Sequence, residues 1–246
     1  MHAGRSTRGK VCTPQSYCCY SKLTYDTARA VLNFKKLPYK TEWVEYPDLE
    51  PRFKELGIPP NPETSFAPYT SPTVRFADGS YLQDSEPIAK RLEELYPEPS
   101  LHLDEDHHQE VADAVIALVS AGVGLILPLV PRNLLNERST KFFLEDREKR
   151  FGIHLYDLEK AKGGEQAWKD MEPKMAEFKD LLTKYKKDEG AFMLGSQISY
   201  ADFHAAGLFQ AFMRCGEEYG ERLLSYDESF RKLFEACKPY LERDDH

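Results

Sequence analysis

Two dipeptides, Ser71-Pro72 and Asp84-Ser85, bound the stretch SPTVRFADGSYLQDS, and both carry residue types suited to holding a small, charged, peptide-like ligand. An X-Pro bond is the one kind of peptide bond that adopts cis at low cost. At a strand start, a cis bond turns the preceding residue's N–H and C=O away from the sheet, where they can pair with an extended peptide as an added strand would. Asp84-Ser85 stands at the mouth of a helical segment, EPIAKRLEELYP. A helix N-terminus has unpaired N–H groups and partial positive charge, so a carboxylate set against it is stabilised, and the Ser85 hydroxyl can donate to the same anion. Asp84 can take an ammonium on the same ligand. Together these residues suit an α-amino acid head group. Each pair also has a plainer explanation, which spacing alone favours. Pro72 can be a trans proline at a strand's first position, and Asp84 and Ser85 can simply cap the helix, with Pro87 tolerated in its first turn.

A third pattern, GSQISYADF, has a structural meaning. Ser199 as N-cap with Asp202 three residues on forms a capping box, and Ile198 against Phe203 forms a hydrophobic staple.

Helices and short strands must position these groups. Ala28, Val31, Leu32 and Phe34 lie near helical spacing in a segment closed by Pro38, and YKTEWVEYP then alternates as a half-exposed strand would. A short helix ends at Gly57. SPTVRF and SYLQD flank the turn Ala77-Asp78-Gly79, a hairpin signal, and Ile88, Leu92 and Leu95 share one face of the next helix. Past Pro99 the strand signals vanish. Helices are predicted over about 105–127, 139–158, 164–187, 200–214 and 229–241. The composition shift marks a domain boundary near 101–104. The chain therefore divides into an atypical N-terminal segment (1–23) whose first strand is uncertain, a small α/β domain (24–100) and an all-α domain (104–246).

The 246 residues carry a formal charge of −8 and no Lys/Arg run with interleaved aromatics, which argues against nucleic acid as a partner. Cys12, Cys18, Cys19, Cys215 and Cys237 show neither a metal-ligand spacing nor a C-x-x-C, so no metal is expected and a reducing, cytoplasmic setting fits. The most apolar run, Ala114 to Val130, is interrupted by Ser120, Gly122, Gly124 and Pro128, as in a buried core helix rather than a membrane span. The first residues are basic, with Arg5, Arg8, Lys10 and Lys22 and no acid. They lack the amphipathic apolar stripe of a transit peptide.

The element order, with SPTV, QDSEPIAKRLEE and GSQISYADF in their places, resembles the cytosolic glutathione transferases, whose fold joins a thioredoxin-like domain to an all-α domain. RAVLNFKKLPYKTEWVEYPDLEPRFKELGIPPN and FFLEDREKRFG resemble the fungal branch related to bacterial β-etherases, near the omega class. The resemblance covers about 24–241. It implies that Ser71 forms an antiparallel backbone pair with the cysteinyl part of glutathione, Pro72 being the cis proline, and that Ser85 with Asp84 holds the γ-glutamyl carboxylate and amine. It matches Ser199 and Asp202 to the family's folding-related capping box. At the amino end the sequence departs from the family, offering no convincing first strand. The thiol-activating position falls between Ser21 and Lys22, with Ser21 the leading choice and Tyr20, Cys19 and Cys18 its rivals. A Ser there would donate to the sulfur and favour thiolate, whereas a Cys would favour thiol exchange through a mixed disulfide. The resemblance implies transfer of the glutathione sulfur to an apolar electrophile or an aryl-ether-type substrate, a role in detoxification, and a homodimer. The acceptor pocket is expected between the domains, along the helix through Leu125 to Arg132. Two other outcomes remain open: a ligand-binding protein without turnover, and a thiol oxidoreductase.

Overall fold

The computed structural model of the chain describes residues 19–63, 65, 67–104 and 107–241, with side chains from Asp26 onward. The turn at Ala77-Asp78-Gly79 closes an antiparallel hairpin in which β1 (Thr73–Arg75) pairs with β2 (Tyr81–Gln83), Val74 facing Leu82. Gly79 takes φ of 89°, a left-handed conformation that suits a residue without Cβ, and Ser80 N–H donates to Asp78 Oδ1 at 2.9 Å. Before the hairpin lie α1 (Cys19–Phe34) and α2 (Tyr46–Glu55), and after it α3 (Ser85–Leu95). Ile88 and Leu92 of α3 are fully buried, but Leu95, predicted to share their face, is 44% exposed at the helix end.

From His107 on, every described element is a helix: α4 (His107–Ala121), α5 (Val123–Asn133), α6 (Glu137–Phe151), α7 (Leu155–Lys162), α8 (Gly164–Lys184), α9 (Tyr200–Cys215), α10 (Glu217–Leu224) and α11 (Glu228–Leu241). The architecture is the expected one, a thioredoxin-like domain with a small sheet followed by an all-helical domain.

Several local expectations are corrected. The alternating segment 39–45 is not a strand, because among the described residues no neighbour makes a backbone ladder with it, and alternation without a partner does not make a sheet. The helix predicted over 105–127 is two helices, α4 and α5, bent by 82°. The corner is set by close approach. A Cβ on Gly122 would meet Met171 Sδ at 2.5 Å, and one on Gly124 would meet the Lys162 backbone oxygen at 2.5 Å. The helix predicted over 139–158 breaks at Gly152, whose φ of 69° ends α6 in a left-handed cap. α10, eight residues long, was not foreseen. Among the described residues no single helix is long and apolar enough to cross a membrane.

α9 is the central helix. Its residues from Tyr200 to Phe209 are all buried, and it packs against α1, α4, α5, α10 and α11. α1 lies along it, so the two domains share one core. Phe34 of α1, Phe203 of α9 and Tyr240 of α11 form an aromatic trio with ring centroids 5.5, 5.5 and 5.6 Å apart. Asn33 Nδ2 donates to the Tyr240 carbonyl at 2.7 Å, and Arg214 of α9 grips the buried Asp26 of α1 at 2.7 and 2.8 Å. A second bridge joins α2 to α6. There Tyr46 packs on Phe142 and Phe143, Arg138 donates to both Asp48 oxygens, and Ser139 bonds Glu45.

Candidate functional site

The hairpin register determines what lies beside what. With Thr73 opposite Gln83, the next step outward sets Pro72 opposite Asp84, and Asp84 N–H donates to the Pro72 carbonyl at 2.9 Å. Ser71 directly precedes Pro72 and Ser85 directly follows Asp84 as the first residue of α3, so both dipeptides lie at the same end of the hairpin. Thus two dipeptides with eleven residues between them form one corner. The Ser71–Pro72 bond is cis. Ser71 and Ser85 are 2% and 3% exposed, so both are enclosed polar residues rather than solvated surface.

Asp84 sits at the corner with φ of 70°, an uncommon value for a residue with a Cβ. Its carboxylate is oriented by neighbours. Thr70 Oγ1 donates to Oδ1 at 2.7 Å, and Asn61 Nδ2 reaches Oδ2 at 3.4 Å. The loop behind is tied in turn: Thr70 N–H donates to Gln83 Oε1, Gln83 Nε2 to the Pro59 carbonyl, and Thr73 Oγ1 to the Thr70 carbonyl, at 2.9, 2.9 and 2.8 Å. Burial raises the Asp84 carboxyl pKa above its ordinary value, and the Thr70 hydrogen bond partly opposes this. A part-buried carboxylate that, among the described residues, has no cation against it gains from an arriving ammonium. Asp84 makes no side-chain bond to its own helix, so the first N–H groups of α3 are left for another acceptor.

The corner leans on the second domain. Tyr200, the first residue of α9, is 2% exposed and turns its phenol toward the Ser85 hydroxyl. Sequence reasoning missed Tyr200. The one signal available was its place inside the Ser199–Asp202 motif. That capping box is closed: Ser199 N–H and Oγ each donate to Asp202 Oδ2 at 2.8 Å, and Met193 N–H donates to Oδ1 at 2.7 Å. Burial pushes the Asp202 carboxyl up to about 6 despite these donors.

The thiol-activating choices fall at the edge of what is described. Cys18 and the question of a first strand lie outside the described residues. Cys19, Tyr20 and Ser21 belong by backbone to the first turn of α1, and their side chains also lie outside. Of the expected acceptor wall, Leu125 to Pro131 of α5 are buried, with Leu125, Ile126, Leu127, Leu129 and Val130 each at most 6% exposed, and the amino-terminal loop expected to face them lies outside the described residues. A cavity of about 360 Å³ lies between residues 40–42, α2 and the hairpin, lined by Thr41, Arg52, Phe53, Thr73, Arg75 and Tyr81. It opens where segment 39–45 runs past β1 without pairing to it. Among the described residues no group of three His, Cys, Asp or Glu side chains gathers as a metal site would require.

A thioredoxin-like domain with a buried polar corner, packed on an all-helical domain, defines a class, and comparison with known proteins gives it a family. Residues 25–95 match the glutathione S-transferase N-terminal domain and residues 108–240 the glutathione S-transferase C-terminal domain. The chain is 30% identical over 228 residues to a glutathione S-transferase-like protein, ustS, of Aspergillus flavus, covering 87% of this chain and 82% of that one. Among solved structures it is similar to the glutathione S-transferase CsGST63524 of Ceriporiopsis subvermispora in complex with glutathione. That pair has a TM-score of 0.81 and 27% identity over 96% of this chain and 100% of that one. It is also similar to GSTFuA2 of Phanerochaete chrysosporium, with a TM-score of 0.79 and 29% identity over 96% and 98% of the two chains. The chain belongs to the glutathione S-transferase family.

Proposed function

We propose that the protein is a glutathione S-transferase of the fungal etherase-like branch, acting on an apolar electrophile or an aryl ether. The single observation that carries the reading is the Ser71/Ser85 corner, where two enclosed hydroxyl residues and an oriented carboxylate meet at the N-terminus of α3. The solved relative crystallised with glutathione supports the ligand, and the fungal sources of the relatives support the branch. Ser71 offers its backbone N–H and C=O to the cysteinyl residue. Ser85 and the first N–H groups of α3 receive the γ-glutamyl carboxylate, and Asp84 receives the ammonium. Ser21, in the first turn of α1, donates a hydrogen bond to the sulfur. With the helix dipole it lowers the thiol pKa, the proton leaving to solvent. The sulfur lone pair then forms a bond to the electrophilic carbon as the leaving group departs with its bonding pair. A cytoplasmic homodimer belongs to the same reading and is supported by resemblance alone.

One observation favours a second reading. Cys19 is the first residue of α1, the place where a helix dipole favours thiolate, and that would support glutathione-dependent thiol exchange. Calorimetric titration of glutathione tests the shared part, and zero heat would overturn both readings. Assays with a chloronitrobenzene and with a disulfide substrate then separate them. Transfer lost in Ser21→Ala supports the first reading, and disulfide reduction lost only in Cys19→Ala supports the second.

A further inference from the structure

We infer that Tyr200 is a positioning residue for the glutathione site, its phenol O–H orienting the Ser85 hydroxyl toward the γ-glutamyl carboxylate. This rests on the glutathione-binding reading above and extends it to a residue of the other domain. Three features of the structure converge on it. Tyr200 is buried, its phenol faces Ser85, and among the described residues no well-aligned hydrogen bond closes on the phenol oxygen. A buried phenol whose polar neighbour, the Ser85 hydroxyl, is not aligned to close a hydrogen bond gains when that hydroxyl turns to accept from it.

The chemistry of the pair specifies the role. Ser85 has one proton and two lone pairs. If its proton goes to the ligand carboxylate, a lone pair is left to accept from Tyr200. The result is a chain from phenol to hydroxyl to carboxylate in which each bond polarises the next. Burial pushes the phenol pKa further up, so Tyr200 keeps its proton and remains a donor.

The surroundings hold the ring and leave the hydroxyl to act. His204 lies 5.6 Å from the ring on the same helix, and His108 of α4 meets it edge-on at 6.3 Å. The backbone is equally fixed. Tyr200 N–H donates to the Leu101 carbonyl at 2.9 Å, and Ser199 and Asp202 lock the turn on either side. The capping box therefore does more than start a helix, because it fixes the residue that reaches the ligand corner.

The test is a double-mutant cycle by calorimetry on the full chain: wild type, Tyr200→Phe, Ser85→Ala and the double variant, each titrated with glutathione and with the dipeptide cysteinylglycine. Cysteinylglycine lacks the γ-glutamyl group. Tyr200→Phe removes one oxygen and keeps the packed ring. It is expected to weaken glutathione binding about three- to tenfold, the scale of one hydrogen bond. The double variant should bind no more weakly than Ser85→Ala alone, and the dipeptide's affinity should not respond to Tyr200→Phe. Unchanged glutathione affinity, losses that multiply, or an equal loss for the dipeptide would each overturn the inference, the last by showing a general effect on the fold. No heat from the wild type itself would instead overturn the glutathione reading, and this inference with it.

Discussion

Ser85 and Asp84 receive opposite ends of the proposed head group, so their variants should fail in different ways. Ser85→Ala removes one donor to a charged group. The expected cost to glutathione affinity is about 1–2 kcal/mol, largely independent of pH, read by calorimetry; unchanged affinity would remove Ser85 from the site. Asp84 acts through its charge. Its carboxyl pKa is raised by burial, and an arriving ammonium would favour the ionised form. Glutathione affinity is therefore highest above the Asp84 pKa and falls as pH drops through it, at a point above the ordinary carboxylate value. Asp84→Asn should bind more weakly at neutral pH and lose that acid limb. A wild-type titration flat from neutral pH down to the ordinary carboxylate range would count against Asp84 as the amine's partner.

At the scale of elements, the start of α9 and the corner between α4 and α5 respond to substitution for different reasons. Asp202 accepts from Met193 N–H, Ser199 N–H and Ser199 Oγ in a fully buried setting. Asp202→Ala should cost about 2–4 kcal/mol, more than the ~1 kcal/mol of an ordinary cap, because two buried backbone donors lose their partner. With its carboxyl pushed up to about 6, the folded state binds more protons than the unfolded chain, whose carboxyl titrates near 3.8. The stability linked to this group is complete below about 3.8 and is lost as pH rises through about 6. Denaturant melts should show the lead of wild type over Asp202→Asn shrinking by about 2–3 kcal/mol across that window. A lead that grows with pH would mean that the donors, not burial, govern the carboxyl. At the corner, Gly124→Ala presses on the Lys162 backbone oxygen and should destabilise by about 2–3 kcal/mol, whereas Gly122→Ala meets a flexible Met171 side chain and should cost less. The same elements show what a sequence can carry. The hairpin was legible because its turn and alternation are local, and the register that brings the two dipeptides together follows from them. The corner at Gly122 was not, because periodicity continues through a bend imposed by Met171 and Lys162, far along the chain. Segment 39–45 misled for the converse reason, since alternation describes one strand and a sheet needs two. Tyr200 stayed hidden because its neighbour Ser85 is more than a hundred residues away.

At the scale of the whole molecule, the placement of α1 decides how the protein unfolds. Asp26 and Asn33 bond to the helical domain through Arg214 and Tyr240, and Phe34 completes the trio with Phe203 and Tyr240. Among the described residues the α/β part has one short hairpin, and it rests on the helical domain through α1 on α9 and α11 and through α2 on α6. A unit tied to the helical domain through two of its helices is not expected to persist once that domain melts. The chain carries two tryptophans, Trp43 before α2 and Trp168 in α8, so each half has one reporter. Fluorescence melts of Trp43→Phe and Trp168→Phe should give coincident midpoints. Phe34→Ala in either background should lower both midpoints together by about 5–10 °C, from a cavity costing about 2–3 kcal/mol. If the Trp43 signal alone moved and the Trp168 transition stayed in place, the two domains would be melting as separate bodies and α1 would not be their shared core.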